Sequence, residues 1–369
     1  MALAPPFTAE HEALRAEMRD WIAREIRPHA AAWEAAGHFP DELFRRAGEA
    51  GWLGLKYEPE WGGTGGGYLA DAVWAEELAR CGSGGVAAGL GAHASIALPP
   101  IWKFGTPEQK ERWLRPGIRG EMIAALGITE PDAGSDVAAL RTRAERVDDG
   151  WVVNGSKMFI TNGVRFDLIV TAVKTTAAGG HHGISFLVVE RRGGGIDARP
   201  IEKLGWHASD TGLIALHDVW VPEENLLGPE HEGFKLIMAN FQWERLLMAL
   251  GAVGAMEVAL ERAVAWWADR SPSQAVRHAV AEIAVTLETA RALTYDALRR
   301  FAEGADALAQ VTKAKLASQR AAFEVADRLL DWLGDVPEVR RTARDTRPGP
   351  IGGGTDEIMR EILGRTLPL

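Results

Sequence analysis

The apolar residues of this chain change their period twice, and that switch limits the folds open to it. Up to about residue 120 they recur at helical spacing. Leu14, Met18, Trp21, Ile22 and Ile26 share one helix face before Pro28 interrupts the pattern. YLADAVWAEELARC repeats it, and in TPEQKERWL Thr106 reads as an N-cap with Pro107 at the first helical position. Between 121 and 228 the segments become short and β-branched: WVVNG, DLIVTAVKT, ISFLVVERR and GLIALHDVWVP, separated by NG, GG and DD turns. Helical spacing returns after Glu232, first in GFKLIMANFQWERLLMALGAVGAMEVALERAVAWW, one long helix or two, and then in VTKAKLASQRAAFEVADRLLDWL. The expected fold class is mainly α with a central β domain, a small barrel or sandwich. Its divisions are 1–120 helical, 121–228 β and 229–369 helical.

Charge and cysteine usage narrow the function. A net charge of −10 argues against non-specific nucleic-acid binding and gives no attraction to anionic lipid. Cys81 stands alone, which leaves no intrachain disulfide and no cysteine-rich metal site, so a reducing, cytoplasmic setting is expected. The opening residues lack a basic-then-apolar signal pattern, and no apolar run is long enough to span a bilayer. The glycine-rich EWGGTGGGY lacks the Lys-Ser/Thr pair of a phosphate loop and follows no strand, so it reads as a surface connection.

One acidic residue breaks an apolar stripe. Ile237, Phe241, Glu244, Met248, Gly251 and Ala255 fall on one face of the long helix, and all but Glu244 are apolar or small. Desolvation there favours the neutral carboxyl and raises its pKa towards the range useful for proton transfer. Arg245 lies about 100° round the helix and does not neutralise it within the same turn. Two readings stay open: a proton-transfer base, or a buried glutamate paired with an arginine from another helix. The β region adds GITEPDAGSD, with Thr129, Ser135 and free amides round a turn. It also adds NGSKMFITNG, where Phe159 and Thr161, two residues apart, are expected on one strand face. An aromatic beside a hydroxyl suits a flat heterocycle, the first by stacking and the second by hydrogen bonding.

Taken in order, FGTPEQKERWL, ITEPDAGSD, GSKMFITNG, KLGWHASDTG, HDVWVPEENLLG, NFQWERLLMA and ARDTRPGPIGGGTDEIMREILGR resemble the acyl-CoA dehydrogenase family over nearly the whole chain. The resemblance implies an N-terminal helical domain, a central β-barrel domain and a C-terminal four-helix bundle. It implies bound FAD and oxidation of a saturated acyl-CoA to the trans-2-enoyl thioester, with a glutamate taking the α-proton and the β-hydrogen leaving as hydride to flavin N5. Many relatives carry that glutamate just before the Gly-Thr of the C-terminal loop, where this chain has Gly353. The isovaleryl and mammalian long-chain types carry it just before the arginine of the long helix, which is Glu244 here. Glu244 is therefore the implied base, with the Gly353 backbone amide in the place of the donor that polarises the thioester carbonyl.

The same resemblance places Leu126, Ile128 and Thr129 against the flavin, Ser135 at the FAD pyrophosphate, Phe159 against the ring and Thr161 near N5. Arg270 is placed on the FAD of a neighbouring subunit, and Thr355 and Glu357 on the diphosphate side. Ser135 and Arg245 also fall on the acyl-CoA side. An electron-transfer flavoprotein is the implied electron acceptor and a homotetramer or dimer the implied assembly. Two stretches depart from the family. DRSPSQAVRH is short after Arg270, and LLDWLGDVPEVRR has Asp331 in place of a glutamine and lacks a Gly-Gly-x-Gly segment. These departures support an alternative, a redox-silent acyl-CoA-binding paralogue with weakened FAD binding.

Overall fold

The computed structural model describes residues 6–177 and 180–368. The chain opens with helices α1 (Ala9–Glu25), α2 (Ala30–Ala36), α3 (Glu42–Glu49), α4 (Gly67–Leu78), α5 (Gly84–Ala92), α6 (Leu98–Phe104), α7 (Pro107–Gln109) and α8 (Arg115–Ile118). Single π-helical turns, His93–Ala97 and Lys110–Leu114, join α5 to α6 and α7 to α8. The periodicity that predicts α1 is the face it buries, since Met18, Trp21 and Ile22 enter the core. Thr106 caps as its spacing predicts. Its hydroxyl accepts from the Gln109 amide at 3.2 Å and the Gln109 side chain returns to the Thr106 amide at 3.0 Å.

Strands β1 (Ala124–Gly127), β2 (Arg143–Val147), β3 (Gly150–Ile160), β4 (Leu168–Lys174), β5 (Ile184–Glu190), β6 (Ile196–Pro200), β7 (Gly212–Pro222) and β8 (Leu226–Leu227) form one sheet. Its order is β6-β7-β3-β2-β4-β5-β8, with β1 added parallel to β4. Trp151 and Val153 from β3, Ile169 and Val173 from β4, Leu187 and Val189 from β5, and Ile214 and Leu216 from β7 meet in one cluster. A sheet whose opposite ends touch through one face has to curl round that face. The other face of β4 and β5, carrying Leu168, Val170, Phe186 and Val188, packs on Leu98, Ile101, Trp113 and Leu114 of the N-terminal helices. Both faces of these strands are thus buried, which is why DLIVTAVKT and ISFLVVERR read as near-continuous apolar runs.

The remainder is helical: α9 (Gly233–Trp267), α10 (Gln274–Ala302), α11 (Leu308–Leu333), α12 (Pro337–Asp345) and α13 (Asp356–Gly364). The long apolar stretch after Glu232 is one helix of 35 residues, a length of roughly 50 Å. Helix α9 joins the three regions. Ile237 packs with the outer face of the sheet, Trp243, Leu246 and Leu250 with α1, α4 and α5, and Val253, Met256 and Ala263 with α10 and α11. Gly254 permits the close approach to α4, because a Cβ there would lie 2.3 Å from the Glu76 carbonyl oxygen. Among the described residues no helix is long and apolar enough to cross a membrane.

Candidate active site

Two stripes run along α9, and their burial differs. Trp243, Leu246, Ala249, Leu250 and Val253 are fully buried and form core. Phe241, Glu244, Met248, Gly251 and Ala255 are only half-buried. A half-buried apolar stripe flanked by packed elements is suited to form a cleft wall, and the face carrying Glu244 has that character, unlike the core seam beside it.

The Glu244 carboxylate sits on that wall without a partner. Its Oε2 is shielded from solvent yet has no hydrogen-bonding atom near it. The pairing with an arginine of another helix is not seen among the described residues. Burial therefore pushes the carboxyl up to about 7, against the weaker opposing influence of Arg245 and Lys315. An isolated buried charge is expensive to keep, and a glutamate held this way is half ionised near neutrality.

The glycine run of the C-terminal loop closes on this carboxylate. Gly353 and Gly354 have φ of 62° and 95°, the left-handed region that favours glycine. A Cβ built on Gly353 would point at the base, 4.0 Å from Glu244 Oε1 and 3.2 Å from Met248 Cγ. Positions 244 and 353, far apart in sequence, thus converge on one place. A Cβ on Gly354 would lie 2.7 Å from Met359 Cε and 3.6 Å from Arg245 Nε, so the loop backbone rests directly on the Arg245 side chain. Among the described residues neither the Gly353 nor the Gly354 amide finds an intramolecular acceptor. A glycine with a free N–H, Gly353, therefore stands beside the unpaired carboxylate. That arrangement can remove a proton from carbon while donating to a developing oxyanion.

Arg245 itself is 7% exposed, with Nε unpartnered and its guanidinium 5.7 Å from the Phe241 ring centroid. It lies beside Glu244 in sequence and is held between the Phe241 ring and the Gly354 backbone. Thr355 caps α13, its hydroxyl accepting from the Ile358 amide at 3.3 Å. Glu357 is exposed and pairs with Arg360 at 3.2 Å.

The β-domain residues assemble through an ion pair that sequence reasoning missed. Lys157, fully buried, donates to Glu130 Oε1 at 2.7 Å and to the Ile128 carbonyl at 3.2 Å. Glu130 also accepts from the Arg141 and Thr142 amides at 2.6 and 3.0 Å, and the Met158 amide donates to the Thr129 carbonyl at 2.8 Å. These bonds clamp residues 128–130 against 157–158, next to Phe159. The expectation that Phe159 and Thr161 alternate on one strand face is corrected. The β3–β7 register shifts between Lys157 and Ile160, β3 ends at Ile160, and Thr161 opens the following turn. The bulge puts Phe159 at φ 61° and leaves the residue 60% exposed. A large exposed aromatic residue on a strained backbone costs stability, and such outliers cluster at ligand sites.

Leu126 is half-buried on β1 and borders the same cluster as Phe241, which links the β-domain segment to the wall carrying Glu244. Ser135 lies exposed beyond the Glu130–Ala133 turn. Arg270 follows the end of α9, roughly 35 Å along the helix from Glu244, and stacks on Trp266 with its guanidinium 3.9 Å from the ring centroid. Asp331 is exposed on the last turn of α11. The exposed Phe159 side chain, the clamped 128–130 segment and the unpaired loop amides fit a flat, polar-edged cofactor such as a flavin.

Lys315 is a further residue that sequence reasoning missed. It is wholly buried on α11 and donates to the Gly354 carbonyl at 2.6 Å. Its signal resembled that of Glu244, a charged residue among Val311, Ala314, Ser318 and Ala322 on the buried face.

Comparison with known proteins agrees with this helix–sheet–helix architecture. Residues 8–121 match the acyl-CoA dehydrogenase N-terminal domain, 125–219 the middle domain and 231–367 the C-terminal domain. The mitochondrial long-chain specific acyl-CoA dehydrogenase of Mus musculus is 34% identical over 98% of this chain and 87% of its own length. The mitochondrial isovaleryl-CoA dehydrogenase of Oryza sativa subsp. japonica is 33% identical over 98% of this chain and 92% of its own. The crystal structure of acyl-CoA dehydrogenase from Geobacillus kaustophilus superposes with a TM-score of 0.95 at 35% identity, covering 100% of both chains. The chain belongs to the acyl-CoA dehydrogenase family, whose members are FAD-dependent oxidoreductases.

Proposed function

We propose that this enzyme removes the α and β hydrogens of a saturated acyl-CoA thioester to give the trans-2-enoyl product, with Glu244 as the α-proton base. The observation that carries this reading is the unpaired, buried Glu244 carboxylate facing Gly353 and its free amide. An α-hydrogen beside a thioester is only weakly acidic, so two things must coincide: a base whose pKa lies near the working pH, and donors where enolate charge develops. Glu244, held at about 7, supplies the first. The Gly353 N–H supplies the second, and it needs no reorganisation because no internal acceptor competes for it.

Leu126, Ile128, Thr129, Phe159 and Thr161 would hold the isoalloxazine, with Thr355 and the start of α13 towards the diphosphate. Bound FAD supplies the hydride acceptor for the β-hydrogen. The half-buried stripe Phe241–Met248–Gly251 lines the acyl side, and Arg245 supports the loop and substrate edge. Arg270, at the far end of α9, suits contact with the cofactor of a second subunit, and an electron-transfer flavoprotein is the proposed oxidant of the reduced enzyme.

The test is Glu244→Gln, an isosteric change that removes the base. Turnover with a dye acceptor is expected to fall by about 10³-fold or more, while FAD content and acyl-CoA affinity by calorimetry stay near those of the parent. Unchanged turnover removes Glu244 from the role.

A further inference from the structure

Helix α11 reaches into this site with two side chains one turn apart. Lys315 donates to the Gly354 carbonyl at 2.6 Å, and the Gln319 amide donates to the Met248 carbonyl on α9, one turn beyond Glu244. A Cβ on Gly349 would collide with Gln319 Oε1, so the same glutamine also abuts the start of the loop. Lys315 has no solvent exposure and no ion pair within 4 Å among the described residues. A buried ammonium without a carboxylate is costly, and a salt bridge in its place would be the ordinary solution. Here its bond goes to the carbonyl of the one peptide unit that follows the two left-handed glycines.

We propose that Lys315 is a positioning residue of the active site: it fastens the Gly353–Gly354 loop to α11 so that the free Gly353 amide and the Glu244 carboxylate keep a fixed separation. The loop has few other fixings at this point. Residues 352–354 have no side chains to anchor them, and the flanking bonds join the Ile351 and Gly352 amides to the Pro348 carbonyl and the Asp356 amide to the Pro350 carbonyl. Glycine gives the chain freedom to adopt the turn but no means of keeping it. A charge-assisted bond from a rigid helix supplies that. The charged groups facing Lys315 are Asp356 and Glu357 from α13 and Glu244 and Arg245 from α9. Those facing Glu244 are Arg245 and Lys315. Removing the Lys315 charge therefore leaves Arg245, among the described residues, to oppose the rise in the Glu244 pKa.

This inference rests on the reading of Glu244 as base, and the experiment separates the two. Lys315→Met keeps length and apolar contact while deleting the ammonium. In the FAD-loaded enzyme, amide hydrogen exchange over residues 350–358 is expected to accelerate by at least about tenfold. kcat should fall about tenfold or more with acyl-CoA affinity held within about twofold. The acidic limb of the kcat/KM profile should move to higher pH. Lys315→Arg, a cationic donor, should recover part of both the loop protection and the rate. If the methionine variant does not fold, Lys315→Gln, a shorter neutral donor, is expected to show the same loop acceleration. Introducing Lys315→Met into Glu244→Gln should still free the loop, because that bond does not depend on which group takes the proton. Parent-like loop exchange and kcat in a folded Lys315→Met or Lys315→Gln enzyme overturns the proposal. A freed loop in an enzyme whose Glu244→Gln variant is fully active overturns the base assignment and leaves the fastening by Lys315 intact.

Discussion

Glu130 and Glu244 are both carboxylates withdrawn from solvent in motif-bearing segments, and the fold treats them in opposite ways. Glu130 receives the Lys157 ammonium and two backbone amides. Burial alone would raise its pKa, but the Lys157 charge and these bonds outweigh burial and hold it below the ordinary carboxylate value. Glu244 receives nothing and rises to about 7. The first carboxylate is saturated, permanently charged and structural. The second is unsaturated, ready to gain or lose a proton, and fit for chemistry. Burial by itself does not tell them apart. The count of satisfied lone pairs does.

The comparison can be broken most severely at Glu130. Glu130→Gln leaves Lys157 buried without its counter-charge and is expected to destabilise the fold by about 3–5 kcal/mol, read as a drop in Tm or in the urea midpoint. The double change Glu130→Gln with Lys157→Met should recover most of that loss, since no isolated charge remains. The same glutamine change at Glu244 should do the reverse. The folded-state pKa of Glu244, about 7, lies above its ordinary 4.5, so the native state binds this proton more tightly. Its stabilising contribution is complete below about pH 4.5 and is lost as the pH rises through about 7. Glu244→Gln is therefore expected to match the parent near pH 4–5 and to exceed it by roughly 3 kcal/mol at pH 8, measured by chemical denaturation at both values. A smaller effect sharpens the contrast between scaffold and site. Phe159→Gly relieves the positive φ, so it should stabilise the apo-protein by about 1 kcal/mol while weakening FAD retention on a desalting column.

Much of this was legible in the sequence. The two changes of apolar period set the helix–sheet–helix order because burial period follows backbone geometry, and Glu244 stood out because it interrupted one such period. The same reasoning applied to α11 would have found Lys315, whose apolar neighbours mark a buried face just as clearly. Lys157 was harder. Both faces of its strand are partly covered, and its partner Glu130 lies 27 residues away in the turn after β1. The relation of Phe159 to Thr161 was not legible, because a bulge depends on the register with β7 and local alternation carries no record of it. The stripe on α9 was identified correctly as apolar, but its half-burial follows from what packs against it, which only the tertiary fold determines.

The central claim is that an unpaired Glu244 takes the α-proton, and the most direct test is anaerobic single-turnover bleaching of the flavin by acyl-CoA, followed from pH 5 to 9. In the parent enzyme the bleaching rate is predicted to rise with pH through about 7 as Glu244 ionises, and in Glu244→Gln bleaching should be nearly abolished at every pH. A glutamine variant that bleaches at the parent's rate with the same profile would contradict it.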